Sequence, residues 1–561
     1  MDLTQNHLYI NQYIFKKEKI KSIEKEQEHT SNHPIIYILY DDLKKVAYVG
    51  ESTNVTKRMN DHLKNIDKKR LKYLYVISSP YFNKSAALDI ESNLIKYMSA
   101  DTGYSLLNGN AGIVEHNYYQ KRYYFEIFEN IWKNLKLKKV VAKDILDIDN
   151  SDLYKYSPYK SLSVDQNEVV IQYLERLSNQ KEGPVFVEGS AGTGKTILAV
   201  YLIKLLVTHV TIDSIDKENT DILEKYQKIN SFRNYLQKSP EIALVVPMTS
   251  LRKTLKNVFK SIPGLKANMV IGPSEVVKKD YDILIIDEAH RLKRRKGLTA
   301  YGSFDNTNKS LGMGHEGTEL DWILSKSKYQ MFFYDEAQSI RPSDISKKTF
   351  SKLKNTENTI KLSSQLRVKA GIDYIKFVNH LLTKKNVQNL KKFSSPNYEL
   401  ALFSNLQEMI HQLEYKEKKY GLTRMTAGFS WKWVSSNGTD AYDALIDGVK
   451  MTWNRETKDW INSTNSLTEM GCIHTTQGYD LNYCGVIFGN EIIYNTKTNK
   501  IEIVKDNYFD TKGKGGVNDD DLHLYIINIY KTLMYRGIKG TFVYCCDKNL
   551  ERYFSTFISL Q

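Results

Sequence analysis

Residues 185–207 read VFVEGSAGTGKTILAVYLIKLLV, and this stretch decides how the chain folds. The apolar run before Gly189 predicts a buried strand, and the apolar run after Thr196 predicts a helix. The glycines lie in the turn between them, and the spacing from Gly189 through Gly194 to Lys195 matches a phosphate-binding loop. In such a loop, backbone N–H groups close around a phosphate at a helix N-terminus. The stretch therefore predicts a nucleotide site at the edge of a parallel α/β sheet.

Each residue type in this loop has an expected role in binding ATP. Glycine is needed where backbone N–H groups approach the phosphates closely. Lys195 is expected to reach the β- and γ-phosphates, and Thr196 is expected to bind Mg²⁺. The predicted nucleotide-binding residues of the loop are Gly189, Gly192, Thr193, Gly194, Lys195 and Thr196.

Two later apolar runs end in polar side chains that fit the same site. The segment DILIIDEAH places Asp287 and Glu288 directly after a predicted strand. This pattern predicts that Asp287 holds Mg²⁺ and that Glu288 is the general base for the attacking water. The next run, YQMFFYDEAQSIRPS, ends in Asp335, and Gln338 is a candidate sensor of the γ-phosphate. The carboxyl ends of parallel strands share one edge, so we expect these residues near the loop.

The C-terminal half contains two candidate arginines and a loop between them. Arg367 lies in KLSSQLRV and Arg536 in YKTLMYRGIKGTFVYC. Cationic side chains donated across a nucleotide cleft stabilise the charge of phosphoryl transfer. The segment between these two arginines reads IHTTQGYDLNYCGVIFG, and its candidate functional residues are Gln477, Gly478 and Asp480.

The ordered motifs resemble those of superfamily 1 helicases. Asp335 and Gln338 look like the third motif, and the segments of Arg367, Asp480 and Arg536 look like motifs IV, V and VI. Gln166, upstream of the loop, matches the Gln that contacts adenine in that superfamily. More narrowly, DEAHRL, LDWIL, FFYDEAQSIRPSDI and RMTAGFSWKW resemble the schlafen-like branch, known largely from bacterial and schlafen proteins. From Leu162 onward, the resemblance implies ATPase activity and catalytic roles for Glu288, Gln338, Arg367 and Arg536.

A second set of residues lies in IIYILYDDLKKVAYVGESTNVTKRMNDHL and just beyond it. The candidate catalytic residues, in chain order, are Tyr37, Tyr48, Arg58, His62, Glu91 and Asn108. This order resembles the GIY-YIG nuclease family, in which such residues build one metal site on a small three-stranded sheet. The resemblance covers about residues 34–112. The first motif reads IIY rather than GIY, and the second reads YVG rather than YIG.

Phosphodiester cleavage needs a base, a cation for the developing charge and a divalent metal on a carboxylate. Tyr48 or Tyr37 is expected to activate water, and Arg58 to bind the scissile phosphate. Glu91 is expected to be the single protein ligand of Mg²⁺. His62 lies one helical turn beyond Arg58, so both can face the same phosphate. The alternative is that this region is only a nucleic-acid-binding module.

The composition favours a polyanionic partner and supports no membrane role. An excess of 80 Lys and Arg over 65 Asp and Glu gives a net charge of +15, which favours nucleic acid. The four cysteines lack the paired spacing of a zinc site, and this fits a reducing cytoplasm. No apolar run approaches the length needed to cross a bilayer. DNA is expected more than RNA, and the oligomeric state is not indicated.

The predicted fold class is multidomain α/β, with a small GIY-YIG domain followed by two RecA-like parallel-sheet domains. The expected segments are an N-terminal extension at 1–32, the GIY-YIG domain at 33–112, a helical connector at 113–160, the first motor domain at 161–355 and the second at 356–561. The extension is expected to be a helix or a solvated lead-in rather than part of a core.

The leading hypothesis is an ATP-dependent nucleic-acid motor that carries a Mg²⁺-dependent endonuclease and acts in prokaryotic defence or repair. The alternative is an ATP-gated switch that binds nucleic acid without unwinding it. In that alternative, the nuclease domain is regulated or serves only for binding.

Overall fold

The chain divides into two compact units in the computed structural model, which describes residues 7–108, 119–209, 220–383, 390–435, 441–455, 460–462, 467–476 and 478–561. The first unit comprises Met1–Gln180, Val200–Ser239 and Asn257–Ala267, and the second comprises Lys181–Ala199, Pro240–Lys256 and Asn268–Gln561.

The sheet of the first unit is built around a β-hairpin that carries both predicted tyrosines. Its strands are β1 (Tyr9–Ile14), β2 (Ile35–Asp41), β3 (Val46–Ser52), β4 (Tyr73–Ser78) and β5 (Ser105–Leu106), in the spatial order β1-β4-β2-β3-β5. β2 and β3 pair antiparallel, with Tyr37 opposite Gly50. Every residue of β2 is buried, so both faces of the sheet are covered at this strand.

The segment 1–32, expected to be a lead-in outside any core, contributes to this sheet instead. β1 pairs antiparallel with β4 along its whole length. Two short helices follow, α1 (Lys17–Ile20) and α2 (Ile23–Glu26), and they bury Ile20 and Ile23 in an apolar cluster against β2. The charged residues of this segment surround a few apolar side chains that carry the packing. The many charged residues of this segment led to the prediction that it lies outside any core, and that prediction is wrong.

Helices cover both faces of the sheet. The helices that follow β3 in the chain are α3 (Val55–Lys64), α4 (Lys84–Asp101), α5 (Lys121–Leu137), α6 (Ile145–Asn150), α7 (Asp152–Lys155) and α8 (Val164–Ser178). Strand residues alternate between faces. Ile36 and Ile38 belong to the cluster that includes α4 and α5. Ile35 and Tyr37 belong to the opposite cluster, which includes α3. The side chain of Tyr37 therefore lies on the α3 face.

Further along the chain, the helices are α9 (Lys195–Val207), α10 (Thr220–Leu236), α11 (Thr249–Ser261), α12 (Tyr301–Ser310), α13 (Glu319–Ser325), α14 (Lys347–Leu353), α15 (Gly371–Thr383), α16 (Leu406–Tyr420), α17 (Ile473–Thr476), α18 (Thr511–Lys514), α19 (Asp519–Met534) and α20 (Lys548–Ser555). In the described part of the chain, no helix is both long enough and apolar enough to cross a bilayer.

The first sheet of the second unit is a six-stranded parallel sheet. Its strands are β6 (Gly183–Gly189), β7 (Ile242–Val245), β8 (Val270–Ile271), β9 (Tyr281–Ile286), β10 (Ser327–Tyr334) and β11 (Thr359–Leu362), in the order β11-β6-β10-β9-β7-β8. β11 follows the boundary expected between residues 355 and 356, yet it pairs in parallel with β6. The sequence of β11, TIKL, is short and half polar, so it did not indicate to which sheet the strand belongs.

The second sheet of this unit has eight strands in the order β14-β15-β16-β13-β17-β20-β12-β21, and a separate two-stranded ribbon pairs β18 with β19. The strands are β12 (Glu399–Phe403), β13 (Thr423–Ala427), β14 (Ala444–Ile446), β15 (Val449–Trp453), β16 (Glu469–Gly471), β17 (Leu481–Phe488), β18 (Ile492–Asn495), β19 (Lys500–Ile503), β20 (Gly537–Cys545) and β21 (Ser559–Leu560). Pairing in the eight-stranded sheet is parallel except in the edge hairpin of β14 and β15. The predicted fold class, a small α/β domain followed by two parallel-sheet domains, is confirmed.

Candidate functional sites

The loop between β6 and α9 has the backbone geometry of an anion cradle. Gly192 and Gly194 have φ angles of +85° and +76°, in the left-handed region that glycine adopts without strain. The Lys195 ammonium donates to the carbonyl oxygens of Gly189 (2.6 Å) and Ser190 (2.9 Å). Lys195 thus lies folded over the loop, where an anion can exchange for these carbonyls.

The segment after β11 closes directly onto this loop. The amide of Gln365 donates to the carbonyl of Ala191 at 2.7 Å. The backbone N–H groups of Leu366 and Arg367 donate to the carbonyl of Gly192 at 2.8 and 3.2 Å. A Cβ on Gly192 would lie 2.1 Å from Gln365 Oε1, so glycine is needed there for space as well as for φ. Gln365 did not emerge from the sequence, although it is in the same segment as Arg367.

The two acidic residues after β9 have different environments. The Thr196 hydroxyl donates to Asp287 Oδ2 at 2.7 Å. Burial and the adjacent Glu288 raise the pKa of Asp287 to about 7. Burial opposes ionisation of Glu288 too, but His290, with Nε2 at 3.0 Å, and Lys195 lower the pKa of Glu288 below its usual value. Glu288 is therefore the ionised carboxylate, and Asp287 is the one whose charge needs a further cation.

The predicted ligands of Mg²⁺ at this site are the hydroxyl of Thr196 and the carboxylate of Asp287. Both are hard oxygen ligands of the kind that Mg²⁺ prefers, and they meet at 2.7 Å beside the phosphate cradle. The raised pKa of Asp287 also falls back toward its usual value when a cation compensates its charge. These residues fit a magnesium ion.

The structure brings Gln338 and Arg536 together at the C-terminal edge of the six-stranded sheet. Gln338 Nε2 donates to Asp335 Oδ2 at 2.6 Å, and Asp335 lies 3.8 Å from the Lys195 ammonium. Arg536 is only 1% exposed, and its Nη2 donates to Gln338 Oε1 at 3.5 Å. Arg367 instead forms an ion pair with Asp480. The Arg536 side chain therefore lies beside Gln338, whereas the Arg367 side chain pairs with Asp480 although its backbone contacts the phosphate loop. The catalytic roles of both arginines stay predictions.

Three other predicted residues have different outcomes. Gln166 is buried in the first unit, where its side chain accepts from the backbone N–H of Ser163 in a capping box at the start of α8. Its contact with adenine stays a prediction. Gly478 has a φ of +90°, and a Cβ there would lie 3.0 Å from Leu251. Gln477 lies outside the described residues.

In the first unit, three of the predicted residues, Tyr48, Arg58 and His62, lie around the side chain of Tyr37. The Tyr37 hydroxyl lies 2.7 Å from His62 Nε2 and accepts from Arg58 Nε at 3.1 Å. The ring of Tyr48 is 5.2 Å from that of His62 and 6.3 Å from that of Tyr37. Lys68, which the sequence did not single out, lies with its ammonium 3.7 Å from the centre of the Tyr48 ring.

The protonation states around Tyr37 follow from burial and from nearby cations. Burial, Lys68 and Arg58 lower the pKa of His62 to about 2, so His62 is neutral at physiological pH. Burial raises the pKa of Tyr37 well above its usual value, against the opposing effect of Arg58. A neutral His62 has a lone pair for the Tyr37 proton, and the donated bond from Arg58 fixes the hydroxyl orientation.

Glu91 lies on α4 near a second carboxylate that the sequence did not reveal. Burial and Glu51 raise the pKa of Glu91 to about 8. Glu51 directly follows Gly50, and its Oε1 accepts from the Lys84 ammonium at 2.6 Å. No group of three or more His, Cys, Asp or Glu side chains poised for a metal occurs in the described residues. A single carboxylate suits Mg²⁺, which keeps most of its waters, so Glu91 fits the predicted role.

Asn108 and Gly50 position the hairpin. Asn108 Nδ2 donates to the carbonyl of Val49 at 2.8 Å, and Asn108 Oδ1 accepts from the backbone N–H of Val49 at 3.0 Å. This amide therefore extends the strand pairing of β3, and a direct role in chemistry stays a prediction. A Cβ on Gly50 would lie 2.2 Å from the Tyr37 hydroxyl oxygen, so glycine leaves the space that this ring fills.

Comparisons with known proteins match the two parts of the chain separately. The family model described as "Schlafen group 3, DNA/RNA helicase domain" matches residues 183–547. The model described as "GIY-YIG catalytic domain" matches residues 33–105. The expected fusion of these two domains is confirmed.

Individual relatives are more distant. The uncharacterized protein YPL245W of Saccharomyces cerevisiae is 24% identical over 418 residues, which cover 67% of this chain and 84% of that protein. Among solved structures, the nonstructural protein 10 helicase of an arterivirus is 10% identical, with 68% of this chain and 63% of that chain covered and a TM-score of 0.26. The Pif1 helicase from Candida albicans is 13% identical, with 68% and 94% covered and a TM-score of 0.25.

Proposed function

Because the chain belongs to the schlafen group 3 DNA/RNA helicase family, we propose that its second unit hydrolyses ATP to act on nucleic acid and that its first unit is a Mg²⁺-dependent endonuclease. The observation that carries the proposal is the meeting of buried Arg536 with Gln338 beside the phosphate loop. A fully buried arginine is expensive to place unless it serves an anion. Within the protein, Arg536 already helps to lower the pKa of the Glu288 carboxylate, and we infer that the γ-phosphate of ATP is the further anion that it binds.

Each residue of the nucleotide site has a defined task in hydrolysis. Lys195 exchanges its bonds to backbone carbonyls for phosphate oxygens, and Arg536 stabilises negative charge that develops on the transferred group. The ionised Glu288 accepts the proton of the attacking water as its oxygen bonds to the γ-phosphorus and the bond to the leaving ADP oxygen breaks. Thr196 and Asp287 would hold Mg²⁺, which neutralises phosphate charge when bound.

In the nuclease site, the contacts support Tyr37, rather than Tyr48, as the group that activates water. Bound phosphate brings negative charge that raises the pKa of His62 from its low value in the free protein. The Tyr37 proton can then pass to His62 Nε2 while the Tyr37 oxygen takes a proton from water. The resulting hydroxide attacks phosphorus, and the phosphorus bond to the leaving oxygen breaks. The Arg58 guanidinium, which donates to Tyr37, is the cation expected to bind the phosphate. Glu91 would hold Mg²⁺, which stabilises the developing negative charge when bound.

The biological setting is part of the proposal. A net charge of +15 supports a polyanionic substrate, and coupling a motor to a nuclease raises the local concentration of substrate at the cutting site. We infer DNA as the substrate and prokaryotic defence or repair as the process. The alternative, a nucleic-acid-binding switch without unwinding, is tested alongside.

The test is incubation of the full chain with labelled single- and double-stranded DNA and RNA, with Mg²⁺, in the presence and absence of ATP. Glu91→Gln is expected to reduce cleavage roughly 100-fold or more, whereas the exposed neighbour variant Lys57→Ala leaves cleavage intact. Lys195→Ala is expected to abolish ATP hydrolysis, and Lys181→Ala, on the surface, is its matched control. Cleavage by Glu91→Gln at the wild-type rate would refute the assigned nuclease site. ATP hydrolysis by Lys195→Ala at the wild-type rate would refute the assigned nucleotide site.

A strand-displacement assay separates the motor from the switch. ATP-dependent displacement of an annealed strand is expected of a motor. Nucleic-acid-stimulated hydrolysis without displacement of an annealed strand from either DNA or RNA duplexes would favour the switch over the motor.

A further inference from the structure

Glu51 is an acidic residue beside the nuclease site with no role in the proposed chemistry. Its strand, β3, buries Ala47 and Val49 in the apolar cluster that includes α4. Because side chains alternate along a strand, Glu51 faces α4 as well. Its Oε1 accepts from the ammonium of Lys84, the first residue of α4, at 2.6 Å. Glu51 therefore projects toward the helix that carries Glu91.

Lys84 and Glu91 lie on one face of that helix. They are seven residues apart, and residues at this spacing lie above one another after two turns. Ala87, between them on the same face, is buried in the cluster under the sheet. Among the neighbouring side chains, Glu51 has the largest electrostatic effect on Glu91, ahead of the opposing effect of Arg58. The two carboxylates are therefore neighbours at the nuclease site.

One oxygen of Glu51 has no partner within the described part of the chain. Lys84 engages Oε1, whereas Oε2 is buried and accepts no hydrogen bond from a described residue. The Glu51 side chain is 14% exposed, against 51% for Lys84. A buried carboxylate oxygen without a partner is costly, and a second carboxylate nearby adds to that cost. A divalent cation between Glu51 and Glu91 removes both costs.

We propose that Glu51 is a second carboxylate ligand of Mg²⁺, which it holds together with Glu91. The inference rests on the proposed endonuclease and goes beyond it, because the expected site has Glu91 as its single protein ligand. Mg²⁺ in proteins is bound by one or two carboxylates and keeps water in its other octahedral positions. With two glutamates, about four of these positions remain for water, against about five with Glu91 alone. Lys84 competes with the metal for Glu51 and so lowers the affinity of the site.

The test measures binding of Mn²⁺, a paramagnetic substitute for Mg²⁺, to the full chain by electron paramagnetic resonance. Every protein carries Asp287→Asn and no nucleotide is added, so that the proposed nucleotide site contributes little. We expect Glu51→Gln to weaken Mn²⁺ binding about 10- to 100-fold, and Glu91→Gln to weaken it at least as much. Lys84→Met should instead tighten binding, because it removes a competing cation. The matched control is Asp61→Asn, which removes a carboxylate that is 49% exposed on α3 and should leave binding unchanged.

The number of water molecules on the bound Mn²⁺ distinguishes a ligand from a nearby charge. Broadening of the Mn²⁺ resonance by ¹⁷O-labelled water reports this number. Water replaces a ligand that is removed, so Glu51→Gln should bind Mn²⁺ with an additional water molecule. Weaker binding with the same number of water molecules would mean that Glu51 acts only through its charge, and this result would overturn the inference.

The outcomes also separate the role of Glu51 from the proposed endonuclease. If neither Mn²⁺ binding nor cleavage of nucleic acid depends on Glu91, the proposed endonuclease fails. If binding depends on Glu91 but is equal with Glu51 and with Gln at that position, Glu51 is not a ligand while the endonuclease stands. Melting temperatures in the presence of a chelator identify any loss of folding. Glu51→Gln and Lys84→Met both break the same ion pair, so opposite effects on Mn²⁺ binding cannot come from a shared loss of stability.

Discussion

Replacing Gly192 by alanine probes two demands of the phosphate loop at once. The φ of +85° at this position is the left-handed region that a residue with a Cβ adopts only under strain. The new methyl group would also lie 2.1 Å from Gln365 Oε1 and 2.9 Å from Arg367 Cβ. Gln365 cannot stay in place, because such contacts are far shorter than any van der Waals separation.

The size of the effect follows from the bonds that must break. Left-handed backbone at alanine costs about 1–2 kcal/mol. Gln365 donates to the Ala191 carbonyl at 2.7 Å and accepts from the Arg367 N–H at 2.9 Å. Losing both bonds costs about 1 kcal/mol each. A total of about 3 kcal/mol, expressed when the loop must close around the phosphates, corresponds to a loss of roughly 100-fold in kcat/KM.

The assay is ATP hydrolysis, with melting temperatures measured on the same preparations. Gly183→Ala is the control for backbone strain without a steric clash, since Gly183 has a φ of +98° and nothing lies within 4 Å of the added Cβ. Gly302→Ala provides neither strain nor contact, since Gly302 lies in α12 with nothing within 4 Å. Both controls should keep wild-type kcat/KM. Hydrolysis at the wild-type rate by Gly192→Ala would refute the assignment of this loop as the closing part of the nucleotide site.

The other predictions concern the first unit. Gly50→Ala should reduce nucleic-acid cleavage roughly 100-fold or more, because its Cβ would lie 2.2 Å from the Tyr37 oxygen, while ATP hydrolysis measured in parallel stays unchanged; cleavage at the wild-type rate would contradict this steric account. The pKa of His62 is lowered to about 2 in the folded chain, against about 6.5 when unfolded, so between these values only the unfolded state binds the proton. Stability is therefore full above pH 6.5 and falls with pH, by about 2 kcal/mol at pH 5. Hydrogen-exchange protection factors of the β2 amides, which correct for the intrinsic effect of pH on exchange, should fall on acidification less in His62→Gln than in the wild type. Identical acid responses would count against the buried neutral histidine.

The parts of the sites that the sequence predicted are those in which chemistry and spacing lie within one short segment. Lys195 and Thr196 follow directly from the loop pattern, and Asp287 and Glu288 follow from a strand that ends in acids. The contact of Gln365 with the loop joins residues that are distant in the chain. Neither the period of a helix nor that of a strand encodes such a contact, so it needed the structure.

Amide side chains were the least predictable members of both sites. Asn108 satisfies both of its polar groups on the main chain of Val49. Gln166 accepts from the backbone of Ser163 at a helix start. Order in the chain identifies such a residue as part of a motif, but it does not distinguish contact with a ligand from contact with the backbone. Buried amides must be satisfied in either case, so both roles leave the same trace in the sequence.

The two departures from expectation in the first unit have one physical explanation. The first motif reads IIY, so Ile35 occupies the position where the family has glycine. Ile35 is fully buried in the same cluster as Phe15, Ile20 and Ile23, which come from the segment that its charge had assigned to solvent. An added side chain at position 35 needs apolar partners on the Tyr37 face of β2, and the N-terminal segment supplies them. The larger residue in the motif and the additional edge strand β1 are therefore parts of one packing arrangement, and Tyr37 keeps its place within it because Gly50 still provides the space opposite.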